Sequence, residues 1–259
     1  MANRRNILIG SGVVAVAAIA GGAWYFTRPA DPLSTPVEGA TGGNAEGTVQ
    51  TTALMSPAGV RDKVLGSPDA KVTVIEYASP TCPHCAAFAN DVRPAFEAKY
   101  VDSGKVKFIV RPFTRNNVDA AIFLLAEAAA DAANGTPAAP AASTSSEATA
   151  AAAPAGYSEA AVAAYHNVIN TYFKTQNTWA VASDSYTALL NIATQLGFSK
   201  ETFDATLKDS KAVAPLEAAR DQALNEFGLT GTPTFYINGK ALSGEKTLEA
   251  LSAEIDPLL

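Results

Sequence analysis

The chain has 259 residues with two cysteines and two histidines, and it is 48% hydrophobic and 17% charged. That apolar content is enough to bury a core, so wholesale disorder is excluded, and a single cysteine pair is too little to staple a fold of this size. The net charge of −6 becomes −9 for residues 29–259 once Arg4, Arg5 and Arg28 are set aside, a poor balance for holding phosphate backbones, which excludes nucleic acid binding.

Ile7 to Phe26 form a twenty-residue stretch without a charged side chain, preceded by Arg4 and Arg5 and closed by Trp24-Tyr25-Phe26 before Arg28. As a helix such a stretch spans about 30 Å, the thickness of a bilayer core. Residues 1–28 therefore read as an N-terminal hydrophobic helix anchoring the chain in a membrane. A cleaved signal peptide is the alternative, since Ala18-Ile19-Ala20 fits a cleavage site. Either delivers the remainder to the periplasm, outside the cytoplasm, where disulfides persist. Residues 29–56 are rich in Pro, Gly, Thr and Ala without apolar periodicity and read as a flexible linker, roughly 30 Å across as a coil.

Lys71-Val72-Thr73-Val74-Ile75-Glu76-Tyr77 reads as a strand, opened by the turn Gly66-Ser67-Pro68-Asp69. From Pro83 the pattern turns helical, with Phe88, Val92 and Phe96 at four-residue intervals and a kink predicted at Pro94. Gly104 ends that helix, and Val106 to Val110 is a second strand. Residues 57–113 thus form a βαβ unit whose first strand leads into Cys82-Pro83-His84-Cys85.

Residues 114–215 are helical, marked by Val118, Ile122 and Leu125, by Val168, Ile169, Tyr172 and Phe173, by Tyr186, Leu189 and Leu190, and by Phe203 and Leu207. Within them, residues 132–156 contain twelve Ala, six Ser or Thr and three Pro, and read as a flexible surface excursion. Residues 216–259 begin with a helix through Leu216, Ala223 and Phe227, stopped by Gly228. A strand, Thr234 to Ile237, then turns at Asn238-Gly239 into Lys240-Ala241-Leu242, and a helix from Thr247 closes the chain.

A strand that ends in Cys-x-x-Cys and opens a helix places the first sulfur among unpaired N–H groups, where a thiolate is stabilised. The second sulfur, one turn on, is placed to attack a mixed disulfide formed by the first. Pro83 suits the first helical turn, and His84 offers a donor or positive charge near Cys82. Half a zinc site or an inert structural bridge remain alternatives for the pair. Ala86, directly after Cys85, excludes a c-type haem site. His166, among Tyr165, Val168 and Ile169, reads as a packed or surface histidine rather than a ligand. In Gly231-Thr232-Pro233-Thr234 a proline opens a strand; with a cis bond before it, the Thr232 backbone would lie beside the cysteines, able to pair with an extended substrate.

Glu76-Tyr77 through Cys82-Pro83-His84-Cys85, the inserted helices, and Gly231-Thr232-Pro233-Thr234-Phe235 followed by Asn238-Gly239 together resemble the DsbA family of thiol:disulfide oxidoreductases, over roughly residues 57–259. The resemblance implies an α/β, thioredoxin-like fold with an inserted helical domain. It implies Cys82 as the attacking cysteine, Cys85 as the buried resolving one, Pro233 as a cis-proline, and Glu76 as an acid beneath the disulfide that accepts the Cys85 proton. It calls for no cofactor or metal. Thiol-bearing exported proteins would be the substrates, and a DsbB-like quinone-linked membrane protein the reoxidising partner. Thr232 before the proline is associated more with isomerase-like relatives, so a periplasmic reductase or isomerase stands as the alternative. A cysteine-based metallochaperone or haem-assembly module is a third reading, weakened by the presence of only Met1 and Met55.

Overall fold

The computed structural model describes residues 48–135 and 156–259, so the hydrophobic stretch 7–26 and most of the alanine-rich excursion lie outside the described residues. In chain order, α1 (Thr51–Leu54) is followed by β1 (Val64–Leu65) and β2 (Val72–Ala78). Every residue of β2 is buried, because the sheet is covered on both faces. Its alternation sorts side chains between two cores. Val72, Val74 and Ala78 join one core, Ile75 and Tyr77 the other.

After β2 the chain enters α2 (Pro83–Ala87), then a π-helical turn (Phe88–Val92), α3 (Arg93–Phe96) and a second π-helical turn (Glu97–Val101). The predicted irregularity at Pro94 thus takes the form of π turns on either side of the segment that contains it. β3 (Val106–Pro112) returns parallel to β2, with Val72 opposite Val106 and Ala78 opposite Pro112.

The helical region comprises α4 (Asn117–Ala133), α5 (Glu159–Lys174), the short α6 (Gln176–Trp179), α7 (Ser185–Gln195) and α8 (Lys200–Lys208), and α9 (Ser210–Asn225) leads out of it. Side-chain caps from Asn116, Ser158, Asp184, Ser199 and Asp209 open the five longer helices. β4 (Thr234–Ile237) and β5 (Lys240–Ser243) form a hairpin, and α10 (Leu248–Ile255) follows. The sheet order is β1-β3-β2-β4-β5, with only the β2–β3 pair parallel.

Three boundaries differ from the sequence reading. β1 is an unpredicted fifth strand, too short at two residues to carry a periodic signal. α9 runs unbroken through the expected division between residues 215 and 216, with Pro215 inside it, because Asp209 accepts hydrogen bonds from the Lys211 and Ala212 amides and starts the helix early. Residues 48–56, assigned by composition to the linker, belong to the fold. Thr48 bridges to Lys240, the Val49 amide donates to the Gly239 carbonyl (2.8 Å), Thr51 Oγ1 donates to the Asn238 carbonyl (3.0 Å), and Leu54 is buried in the second core.

Gly239, at φ 94°, sits in a left-handed turn with Asn238 at φ 45°. A Cβ on Gly239 would also lie 2.2 Å from the Val49 carbonyl oxygen, so the strap at 48–56 and the turn require glycine together. If the strap contributes core packing, Leu54→Ala should cost about 2–4 kcal/mol in urea denaturation, the range for a buried leucine. A loss below about 0.5 kcal/mol, as at an exposed site, would show the strap to be dispensable.

Candidate active site

β2 ends at Ala78, and the loop Ser79-Pro80-Thr81 carries the chain to Cys82, the N-cap of α2. Pro83 occupies the first helical turn, where its missing N–H leaves no bond unmade. Cys85 lies one turn on, and both cysteines are free, buried thiols. Opposite them the Thr232–Pro233 peptide is cis. Cys82 Sγ lies 3.2 Å from the Thr232 carbonyl oxygen, to which it donates when it is protonated. That loop is fixed by Thr234 Oγ1 donating to the Gly231 carbonyl (2.8 Å) and by the Gly244 amide donating to the Pro233 carbonyl (2.9 Å). Glu76, two residues before the end of β2, alternates with Val74 and Ala78 onto the face that packs against α2.

The two sulfurs are held in opposite protonation states. A hydrogen bond from the Cys85 thiol is the largest influence on Cys82, and together with the Thr232 hydroxyl, the Cys85 amide and the charge of Arg115 it outweighs burial and brings Cys82 down to about 5. The Thr232 hydroxyl is buried without a hydrogen-bond partner among the described residues, so its proton is available to a thiolate at Cys82. Burial pushes Cys85 well above the ordinary thiol range, and the Cys82 sulfur and the Glu76 charge push it the same way. Burial raises Glu76 to about 8, against the pull of Arg93, and its Oε1 is buried without a hydrogen-bond partner. At neutral pH the site therefore holds one thiolate above a protonated thiol and a protonated carboxyl.

The loop before Cys82 is held by residues that the sequence motifs do not reveal. Asp119, fully buried on α4, accepts from Ser79 Oγ (2.8 Å), the Thr81 amide (2.7 Å) and the Arg115 amide (2.9 Å). Gln176 Nε2, on α6, donates to the carbonyls of Pro80 (2.7 Å) and Cys82 (3.0 Å). The one local signal, Asn116-x-x-Asp119, has the form of a capping box and so marks Asp119 as a helix start only.

His84 is not gathered into this group. Its side chain is 64% exposed, and its Nδ1 lies 3.1 Å from Glu245 on the loop after β5. His166 is buried. Arg93 donates to its Nδ1 (3.1 Å), which leaves Nε2 to donate to the Lys63 carbonyl (3.1 Å), and burial first, then Arg93, brings it down to about 3. It is a neutral core histidine away from the cysteines. Among the described residues, no group of three or more His, Cys, Asp and Glu side chains is placed to hold a metal ion.

Comparison with known proteins places this geometry in context. The family model for thioredoxin matches residues 59–163 and 140–257. A Rickettsia conorii protein named a protein-disulfide oxidoreductase is 30% identical over 232 residues, covering 88% of this chain and 70% of its own. A Rickettsia bellii protein of the same name is 30% identical over 198 residues, covering 75% of this chain and 63% of its own. The chain thus spans about three fifths of the length of the first curated relatives it matches. Among solved structures, α-DsbA1 of Wolbachia pipientis superposes with a TM-score of 0.63 at 25% identity, covering 81% of this chain and 96% of the other.

The opposed shifts give opposite pH dependences. Glu76 is raised, so the stability it contributes is complete below the ordinary carboxyl value and is lost as pH climbs to about 8. In the oxidised protein, where neither cysteine titrates, Glu76→Gln should remove a fall of roughly 2–3 kcal/mol between acid and neutral pH in guanidinium denaturation. An unchanged slope would show that Glu76 titrates normally. Cys82 is depressed, so the reduced protein gains stability as pH rises above about 5 and loses it as pH falls through that value. Thiolate absorbance should titrate with a midpoint near 5 and vanish in Cys82→Ser; a midpoint near the ordinary thiol value would refute the assignment.

Proposed function

Because the chain belongs to the thioredoxin family, in its DsbA-like branch, we propose that it is a protein thiol:disulfide oxidoreductase that donates a Cys82–Cys85 disulfide to exported proteins. The observation that carries this reading is the asymmetry of the pair: Cys82 on a helix N-cap is brought down to about 5, while its buried partner is pushed up. A stabilised thiolate makes the reduced form the favoured product, and hence the disulfide the better oxidant.

A substrate thiolate attacks Cys82 Sγ in the disulfide form. The Cys82–Cys85 bond breaks, a mixed disulfide forms, and Cys85 leaves. Its raised pKa requires it to take up a proton, and Glu76, protonated at neutral pH, is the donor on the same face of the sheet. A second substrate thiolate then attacks the substrate sulfur of the mixed disulfide and expels Cys82 as the thiolate, which its environment favours. Two electrons pass from the substrate dithiol to the pair. In reoxidation the proton runs backwards: Glu76 first releases its own proton to solvent and then accepts the one that Cys85 gives up. Thr232 and Pro233 form the wall against which the extended substrate lies, with His84 at the rim beside Glu245.

The uncharged stretch 7–26 behind Arg4 and Arg5 supports a location tethered to the membrane and facing the periplasm. Among the described residues no helix is long and apolar enough to cross a membrane. A DsbB-like, quinone-linked membrane protein is the class of partner that would return the pair to its disulfide form.

The reduction potential of the pair in glutathione buffers tests the direction of transfer. A value above about −200 mV fits a donor, whereas one near thioredoxin's, about −270 mV, overturns it in favour of a reductant. In Cys85→Ser a Cys82 thiolate that attacks a disulfide of an exported protein has no Cys85 to release it, so mixed disulfides through Cys82 should accumulate. Absence of such adducts would refute direct exchange.

A further inference from the structure

The sequence motif offers His84 as the positive charge beside the reactive thiol, yet the fold builds a different one. Arg115 stands at the junction of β3 and α4. Its Nε donates to Ser79 Oγ (2.9 Å) and its NH2 group to Thr81 Oγ1 (3.1 Å), so two sides of the guanidinium are tied to the loop that ends in Cys82. Both acceptors are themselves fixed. Ser79 Oγ gives its proton to Asp119 Oδ2 (2.8 Å), which leaves its lone pairs for Arg115, and Thr81 Oγ1 also accepts from Asn116 Nδ2 (2.9 Å). Asp119 closes the ring by accepting the Thr81 and Arg115 amides. The hydrogen bonds named here run in one consistent direction and link Arg115, Ser79, Thr81, Asn116 and Asp119, which makes the set a mount rather than a surface contact.

We propose that Arg115, held in this mount by Ser79, Thr81 and Asp119, is the fixed positive charge that favours the Cys82 thiolate, the role the sequence motif assigns to His84. The other charged groups around the pair point the same way. Glu76 lies on the cysteine side of the sheet and its ionised form would oppose a thiolate. His84 is mostly exposed and faces Glu245, whose carboxylate offsets whatever charge the imidazole carries. Arg115 is only 28% exposed, so solvent screens it less, and its charge lowers Cys82 after the hydrogen bonds from Cys85 and Thr232, as the one charged group among the leading influences that do so. Its nearest acid, Asp119, is 3.9 Å from Nε and divides its own charge among three other donors. Arg115 acts through the sulfur's protonation, so it is a positioning residue for the chemistry rather than a participant in bond exchange.

The inference rests on the oxidoreductase reading only for its biological meaning, because the test reads Cys82 directly. Thiolate absorbance is titrated in reduced wild-type protein, Arg115→Met, Arg115→Lys and His84→Ala, with thermal melts confirming that each variant is folded. Arg115→Met should move the Cys82 midpoint up by about one pH unit, a roughly tenfold loss of thiolate below both midpoints. Arg115→Lys should recover at least part of that shift by restoring the charge, and His84→Ala should move the midpoint less than Arg115→Met does. An unchanged midpoint in Arg115→Met overturns the proposal. So does no recovery in Arg115→Lys, which would make the effect one of packing, or a shift in His84→Ala as large as that in Arg115→Met. A wild-type protein with a low midpoint but no thiol exchange would instead overturn the functional reading and leave the role of Arg115 standing.

Discussion

Exclusion of water from the carboxyl end of β2 is the condition on which the rest of the site depends. In bulk water Cys85 and Glu76 would titrate as ordinary groups, and Cys82 would have no buried neighbour to lend it a hydrogen bond. Buried together, they compete for one negative charge, because a low-dielectric site tolerates only the charge that finds donors. Cys82 finds them at the helix start, at Thr232 and near Arg115; Cys85 and Glu76 do not and stay protonated. The chemistry is thus an outcome of unequal solvation within a few residues of one strand end.

The helical insertion maintains that inequality. α4 supplies Asp119, which ties down Ser79 and Thr81, and α6 supplies Gln176, which takes the carbonyls of Pro80 and Cys82. Loop residues that would otherwise need water for their polar atoms find protein partners instead, so the loop can be dry as well as fixed. The insertion is therefore structurally continuous with the reactive loop, although it lies about forty to a hundred residues away in sequence.

What was legible in the sequence was local. The strand before Cys82, the helix opening at Pro83, the Asn238-Gly239 turn and the proline loop each rest on neighbours in the chain, and those parts of the thioredoxin-like fold could be read directly. Features that depend on distant partners could not. Lys63 belongs to no sequence motif, yet it is buried against Glu127 and packed over the rings of Tyr157 and Tyr165. Arg111, buried beside Tyr77, is matched by Asp62 on a different segment. Arg115 carries no motif, and its importance appears only when β2 and α4 are brought together. His84 illustrates the converse: proximity in sequence to a cysteine does not fix where a side chain is directed.

The strap at residues 48–56 joins the sheet away from the reactive loop. β4 carries the Thr232–Pro233 loop at one end and the Asn238-Gly239 turn at the other, and Thr48 and Val49 are bonded at the turn. The chain's point of entry into the sheet and its point of reaction therefore sit at opposite poles of a single four-residue strand, about 13 Å apart. A pull on the chain at Val49 would thus be taken up by hairpin hydrogen bonds at the pole remote from the sulfurs, as force on a handle spares the blade.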